Sequence, residues 1–130
     1  MNRVLLIKGS SSFQKRIQKE IHAPWLIFKD IPQLEDFSRL SILSKHVVFY
    51  DCDKEFVSCT LERRRLPFLK SVYLASNPGG RATLEQFRYT RVKIYLHEDY
   101  RMHRLENMQN LKIITRREFI QVMRGLVYED

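Results

Sequence analysis

Six short apolar, β-rich runs recur along the chain at nearly equal intervals, and that recurrence constrains the fold more than any single motif. They begin near Arg3, Trp25, His46, Lys70, Val92 and Leu111, so successive starts lie 22, 21, 24, 22 and 19 residues apart. The runs are Val4 to Ile7, Trp25 to Phe28, Val47 to Tyr50, Val72 to Ala75, Val92 to Leu96 and Leu111 to Ile114. The first four are continuous rather than alternating, as expected of strands buried on both faces of a parallel sheet.

The stretches between them carry helical spacing and start signals. Ser11 with Gln14 forms a capping box ahead of Phe13, Ile17 and Ile21, and Thr115 with Glu118 forms another ahead of Phe119, Val122, Met123 and Leu126. Asp30-Ile31-Pro32 opens a second helix bearing Leu34, Phe37 and Leu40. Asp53 or Lys54 opens a third bearing Phe56, Val57, Thr60 and Leu61, which stops before Pro67. A fourth follows Asn77-Pro78-Gly79-Gly80 and bears Leu84 and Phe87, and a weaker helix is expected from Glu98 to Met108.

Strands alternating with helices imply right-handed βαβ crossovers and a three-layer α/β/α domain with a mainly parallel sheet of five or six strands. The regular step is read as ordinary α/β geometry, because the units share no side-chain pattern beyond strand and helix. At 130 residues the chain is one domain, 1–130, with 109–130 as an extra strand-helix unit. Its 44% hydrophobic residues suffice for a core, and only 8 glycines plus prolines argue against long irregular loops.

Two cysteines, Cys52 and Cys59, make no disulfide framework and read as inert core residues. The first apolar run ends after four residues at Lys8, too short for a signal-peptide core or a membrane span. A cytoplasmic protein without membrane contact is expected.

In an open parallel sheet the ligand crevice lies at the carboxyl ends of the strands. Those ends carry Lys8-Gly9-Ser10, Asp51-Cys52-Asp53, Ser76 and His97. An acidic residue closing the third strand and a hydroxyl closing the fourth resemble the receiver domains of bacterial response regulators, over about residues 1–108. The resemblance implies a flavodoxin-like topology, with Asp51 at the phosphoryl-accepting position and Ser76 at the contacting hydroxyl. Where receivers carry an acidic pair that holds Mg²⁺ this chain has Lys8-Gly9, and where they carry a lysine it has His97. An ammonium cannot replace a carboxylate for a hard cation, so a pseudo-receiver without phosphotransfer follows. Toprim domains are similar at fewer positions, in the Gly9 of Lys8-Gly9 and in Asp51-Cys52-Asp53, and there too the metal carboxylate is lost.

Lys8 facing Asp51 would stand where the metal would sit. Ser10, Ser11 and Ser12 can hold an anion or cap a helix, and Asp53 can join Asp51 at a cation or cap the next helix. His97 and His103 lack metal-ligand spacing, so neither metal nor cofactor is expected.

The charge is the other strong signal: 23 Lys plus Arg against 15 Asp plus Glu give +8. A basic binding face is read from Arg63, Arg64, Arg65, Arg81, Arg88, Arg91, Arg101, Arg104, Arg116 and Arg117, with Tyr89, Tyr95 and Tyr100 as stacking groups. Two functions therefore stand. One is a non-catalytic receiver-like regulatory module that binds an acidic protein surface. The other is a basic nucleic-acid-binding protein, with a degenerate Toprim-like domain as one form of it. The last strand, at a sheet edge, also invites a homodimer.

Overall fold

The structure, a computed structural model, describes residues 4–9, 20–33, 41–63, 66–101 and 105–126. Six parallel strands make one sheet: β1 (Val4–Lys8), β3 (Trp25–Lys29), β5 (His46–Tyr50), β6 (Ser71–Ala75), β7 (Lys93–His97) and β8 (Leu111–Ile114). All six apolar runs are thus strands, the last included. Two-residue strands β2 (Glu20–Ile21) and β4 (Ser41–Ile42) pair with each other beside the main sheet.

Among the described residues, three α-helices accompany the sheet. In α1 (Lys54–Arg63), Phe56, Val57, Thr60 and Leu61 are buried at the expected spacing. The stretch after Gly80 yields only a short α2 (Arg81–Glu85), and Phe87 packs from the turns that follow it. The Thr115 capping box is present and starts α3 (Arg116–Gly125). The weak helix over Glu98 to Met108 is instead two 3₁₀ turns, Glu98–Tyr100 and Leu105–Asn107. The helices expected from Ser11 and from Leu34 to Leu40 fall outside the described residues.

The α/β class and the parallel sheet agree with the sequence, but the strand order departs from the receiver-like topology. Strands follow one another across the sheet as β1-β3-β5-β6-β7-β8. A flavodoxin-like sheet has order 2-1-3-4-5, with its first strand internal and one reversal of direction. Here β1 is an edge strand and nothing reverses. Crossovers of one hand that always step in one direction fall on one face of the sheet. Every crossover accordingly feeds the same core: Ile21, then Ile31 and Ile42, then Phe56 and Leu61, then Leu84 and Phe87, then Leu105 and Met108. They pack on Ile7, Phe28, Phe49, Val72, Leu74, Ile94 and Leu96.

The opposite face carries a smaller cluster of Val4, Ile27, Val48, Ala75 and Ile114, and its third layer is α3, through Phe119, Met123 and Leu126. Phe119 lies 5.6 Å from the Tyr50 ring and 5.8 Å from that of His97, both at the last positions of their strands. The helix therefore covers the carboxyl half of this face. Among the described residues no helix is long and apolar enough to cross a membrane.

Candidate functional site

The strand-end residues do chain-internal work. Three successive strand exits, those of β1, β3 and β5, repeat one backbone bond, with Gly9 N–H donating to the carbonyl of Lys29, Asp30 N–H to that of Tyr50 and Asp51 N–H to that of Ala75, at 2.9 to 3.1 Å. Asp30 and Asp51 occupy equivalent places one residue past a strand, with φ of 55° and 52°. Aspartate is among the few side chains that tolerate this left-handed region, which accounts for Asp51 without any phosphoryl chemistry. Asp53 caps α1, its carboxylate accepting from Glu55 N–H at 2.9 Å and Phe56 N–H at 3.2 Å. Ser76 is buried and accepts from Cys52 N–H at 2.9 Å. The His97 ring accepts from Asp99 N–H at 3.1 Å and so caps the first 3₁₀ turn.

Lys8 does not meet Asp51. Register places Lys8 beside Lys29 and Lys29 beside Tyr50, so a whole strand and roughly 10 Å intervene. Lys8 instead joins Lys29 and Arg124 around a cavity of about 440 Å³ under α3, which none of Asp51, Asp53, Ser76 or His97 lines. Ser10 lies outside the described residues. Among those described, no group of three or more His, Cys, Asp or Glu is placed to hold a metal.

Cys52 is a core thiol, donating to the carbonyls of Phe28 at 3.3 Å and Tyr50 at 3.5 Å. Burial pushes its pKa up to about 11. Iodoacetamide at pH 8 should leave Cys52 unmodified in the folded protein and alkylate it in urea, as read by peptide mass.

The arginines do not form one face. Arg81 and Arg88 pair with Glu85 at 3.1 and 3.8 Å, beside the crossover layer. Arg116 and Arg117 are exposed in the first turn of α3, and Arg101 is exposed after a 3₁₀ turn. Arg63 ends α1, and Arg64, Arg65 and Arg104 lie outside the described residues. Tyr89 is exposed, and Tyr100 packs edge-on to His97 at 6.1 Å. Of the expected basic-face residues, Arg91 and Tyr95 fall where charge and rings converge, and Arg88 borders that place.

That place is the amino half of the sheet face opposite the crossovers, which α3 leaves open. In register, Trp25, His46, Ser71 and Lys93 form one row across it, and Val48, Tyr73, Tyr95 and Lys112 lie in the next. The rings make a ladder. Trp25 stacks on His46 at 4.4 Å and tilts to Tyr73 at 5.5 Å, and Tyr73 stacks on Tyr95 at 4.5 Å with 12° between planes. The last spacing is close to the separation of adjacent strands, so the rings stand upright, face to face along the row.

Two cavities open along the amino edge of this half, where residues of the crossovers also line them. One, of about 480 Å³, lies over Ser71 between His46 and Lys93; Lys70, Tyr73, Arg91 and Tyr95 also line it. The other, of about 370 Å³, lies on the β8 side of Tyr95 and reaches Arg88, Gln109 and Lys112. Arg91, Lys93 and Tyr95 belong to both, and no carboxylate lines either. Burial, and then Tyr95, raise the pKa of Tyr73, which keeps its hydroxyl neutral.

Trp25, His46, Tyr73 and the lysines at 70, 93 and 112 were not singled out in the sequence. Part of a signal existed, since Trp25 and His46 both open their runs, but Ser71 and Lys93 come into line with them only through the register of the paired strands.

His46 gives a pH test. Its Nδ1 lies 2.6 Å from Ser71 Oγ, and burial, then Lys70 and Lys45, depress its pKa. The unfolded chain then takes up this proton first as pH falls. Stability is complete above the unfolded value of about 6.5 and is lost as pH drops through the lower folded value. Between pH 7.5 and 5, Tm should fall more for wild type than for His46→Gln, and equal falls would refute this role.

A model of a protein family of unknown function, DUF5845, matches residues 26–107, a span from β3 to the second 3₁₀ turn. No curated protein and no solved structure matches the chain.

Proposed function

The chain belongs to the DUF5845 family, and on that premise we propose that it binds single-stranded nucleic acid on the open half of its sheet. One observation carries the reading: an upright aromatic ladder stands beside two cavities that several cations line and no carboxylate does. Phosphates need cations without competing acids, and bases need ring faces. A single strand offers both at once. A duplex hides its base faces, and its major groove is read by a protruding helix or two-stranded ribbon rather than a broad sheet. The net charge of +8 supplies long-range attraction to any polyanion. Receiver-like regulation draws no support from the strand order, which parts Lys8 from Asp51. An acidic protein surface suits the same cations but leaves the ladder unexplained.

The test is fluorescence anisotropy with labelled DNA and RNA strands of about 10 nucleotides, at ~50 mM and ~200 mM salt. Binding that weakens steeply with salt and exceeds binding to a duplex of the same sequence is expected. No binding at the lower salt, or a preference for the duplex, overturns the proposal.

A further inference from the structure

The ladder has few unused ring faces. Tyr73 spends one face on Tyr95 and contacts Trp25 as well, and Trp25 spends one on His46. Among the described residues, no ring meets the face of Tyr95 turned toward β8. Its neighbour there in register is Lys112, whose ammonium lies 3.8 Å from the Glu118 carboxylate. At the other end of the gap, Trp25 takes one face of His46 and Ser71 bonds to the ring's Nδ1 edge, so among the described residues no ring meets its second face. Each unused face borders one of the two cavities, and each cavity is within the size range of small-ligand sites.

Resting on the single-strand reading above, the geometry points to a dinucleotide site. One base stacks on His46 over Ser71, the next on the outer face of Tyr95, and the phosphate joining them lies on Arg91 and Lys93, the cations common to both cavities. The two slots differ in chemistry. In the first slot the Ser71 hydroxyl is engaged with His46, and no side-chain amide lines it. The second has the exposed Gln109 amide, a donor and an acceptor together. Base preference therefore belongs to the Tyr95 slot and is weak in the other.

A labelled strand of about 10 nucleotides, bound to the full chain, is displaced by a mononucleotide, a dinucleotide, or the same dinucleotide with an uncharged methylphosphonate link. The dinucleotide is expected to compete about tenfold better than the mononucleotide, the order of one added stacked base, and to lose most of that advantage when the link is uncharged. Tyr95→Leu should erase the advantage, whereas Tyr89→Leu, at an exposed position outside both cavities, should retain it. Gln109→Ala should flatten base preference at one position only. If the strand binds but mononucleotide and dinucleotide compete equally, or the uncharged link is as good as the charged one, the dinucleotide site is wrong and the single-strand reading survives. If the strand does not bind, both fall.

Discussion

A chain carrying Arg91→Glu and Lys93→Glu together is expected to bind a single strand on the order of 100-fold more weakly than wild type at low salt. Each cation lines both cavities of the open sheet face. A hydrogen bond to a charged group contributes about 1.5 kcal/mol or more, so losing two accounts for that factor before any repulsion. Loss of the phosphate that both cations hold should also flatten the slope of log affinity against log salt by about 0.7. Both side chains are exposed, and the β7 ladder uses only the backbone of Lys93, so Tm should change little. Arg116→Glu with Arg117→Glu makes the same charge change on α3, and it should cost far less. Equal losses from the two pairs would mean that net charge, rather than this face, governs binding.

Gly9→Ala should destabilise the fold by about 3 kcal/mol, at the upper end of the usual cost of overpacking. A Cβ on Gly9 would collide with the carbonyl oxygen of Asp30 and come within 2.8 Å of Pro32 Cδ and 3.0 Å of Ile31 Cα. Two of these atoms are backbone and the third is a proline ring, so no flexible side chain can yield. Because Gly9 N–H also bonds to Lys29, the chain cannot drift from β3 without breaking the strand exit. For a domain of this size the loss is roughly 10–15 °C in Tm. Gly125→Ala is the control: nothing lies within 4 Å of a Cβ at this helical position, and about 0.5 kcal/mol of stabilisation is expected. A Gly9→Ala protein with wild-type Tm would disprove the close approach. Gly9 is thus required by packing, where its place after the first strand had marked it as part of a pocket.

Local rules were legible in the sequence because they act over a few residues. The six strands, the Asp53 and Thr115 caps and the buried stripe of α1 all follow from neighbours three or four apart. The weak helix expected over Glu98 to Met108 is two 3₁₀ turns, and Leu105 in the second and Met108 just after it reach the core. The receiver-like pocket was misplaced for a deeper reason. Residues at strand ends meet only if their strands are neighbours, and neither periodicity nor capping fixes which strands pair.

Local sequence set the units, six strands joined by five crossovers at steps near 22 residues, and the basic charge of the chain. Tertiary structure alone decided their winding. Stepping always in one direction put the crossovers on one face and, among the described residues, left α3 alone to cover the other. That choice left Trp25, His46, Tyr73 and Tyr95 half-buried as a ladder, although each reads along the chain as one more apolar strand residue. A stack between strands 20 or more residues apart depends on register and strand order, which are properties of the assembled sheet.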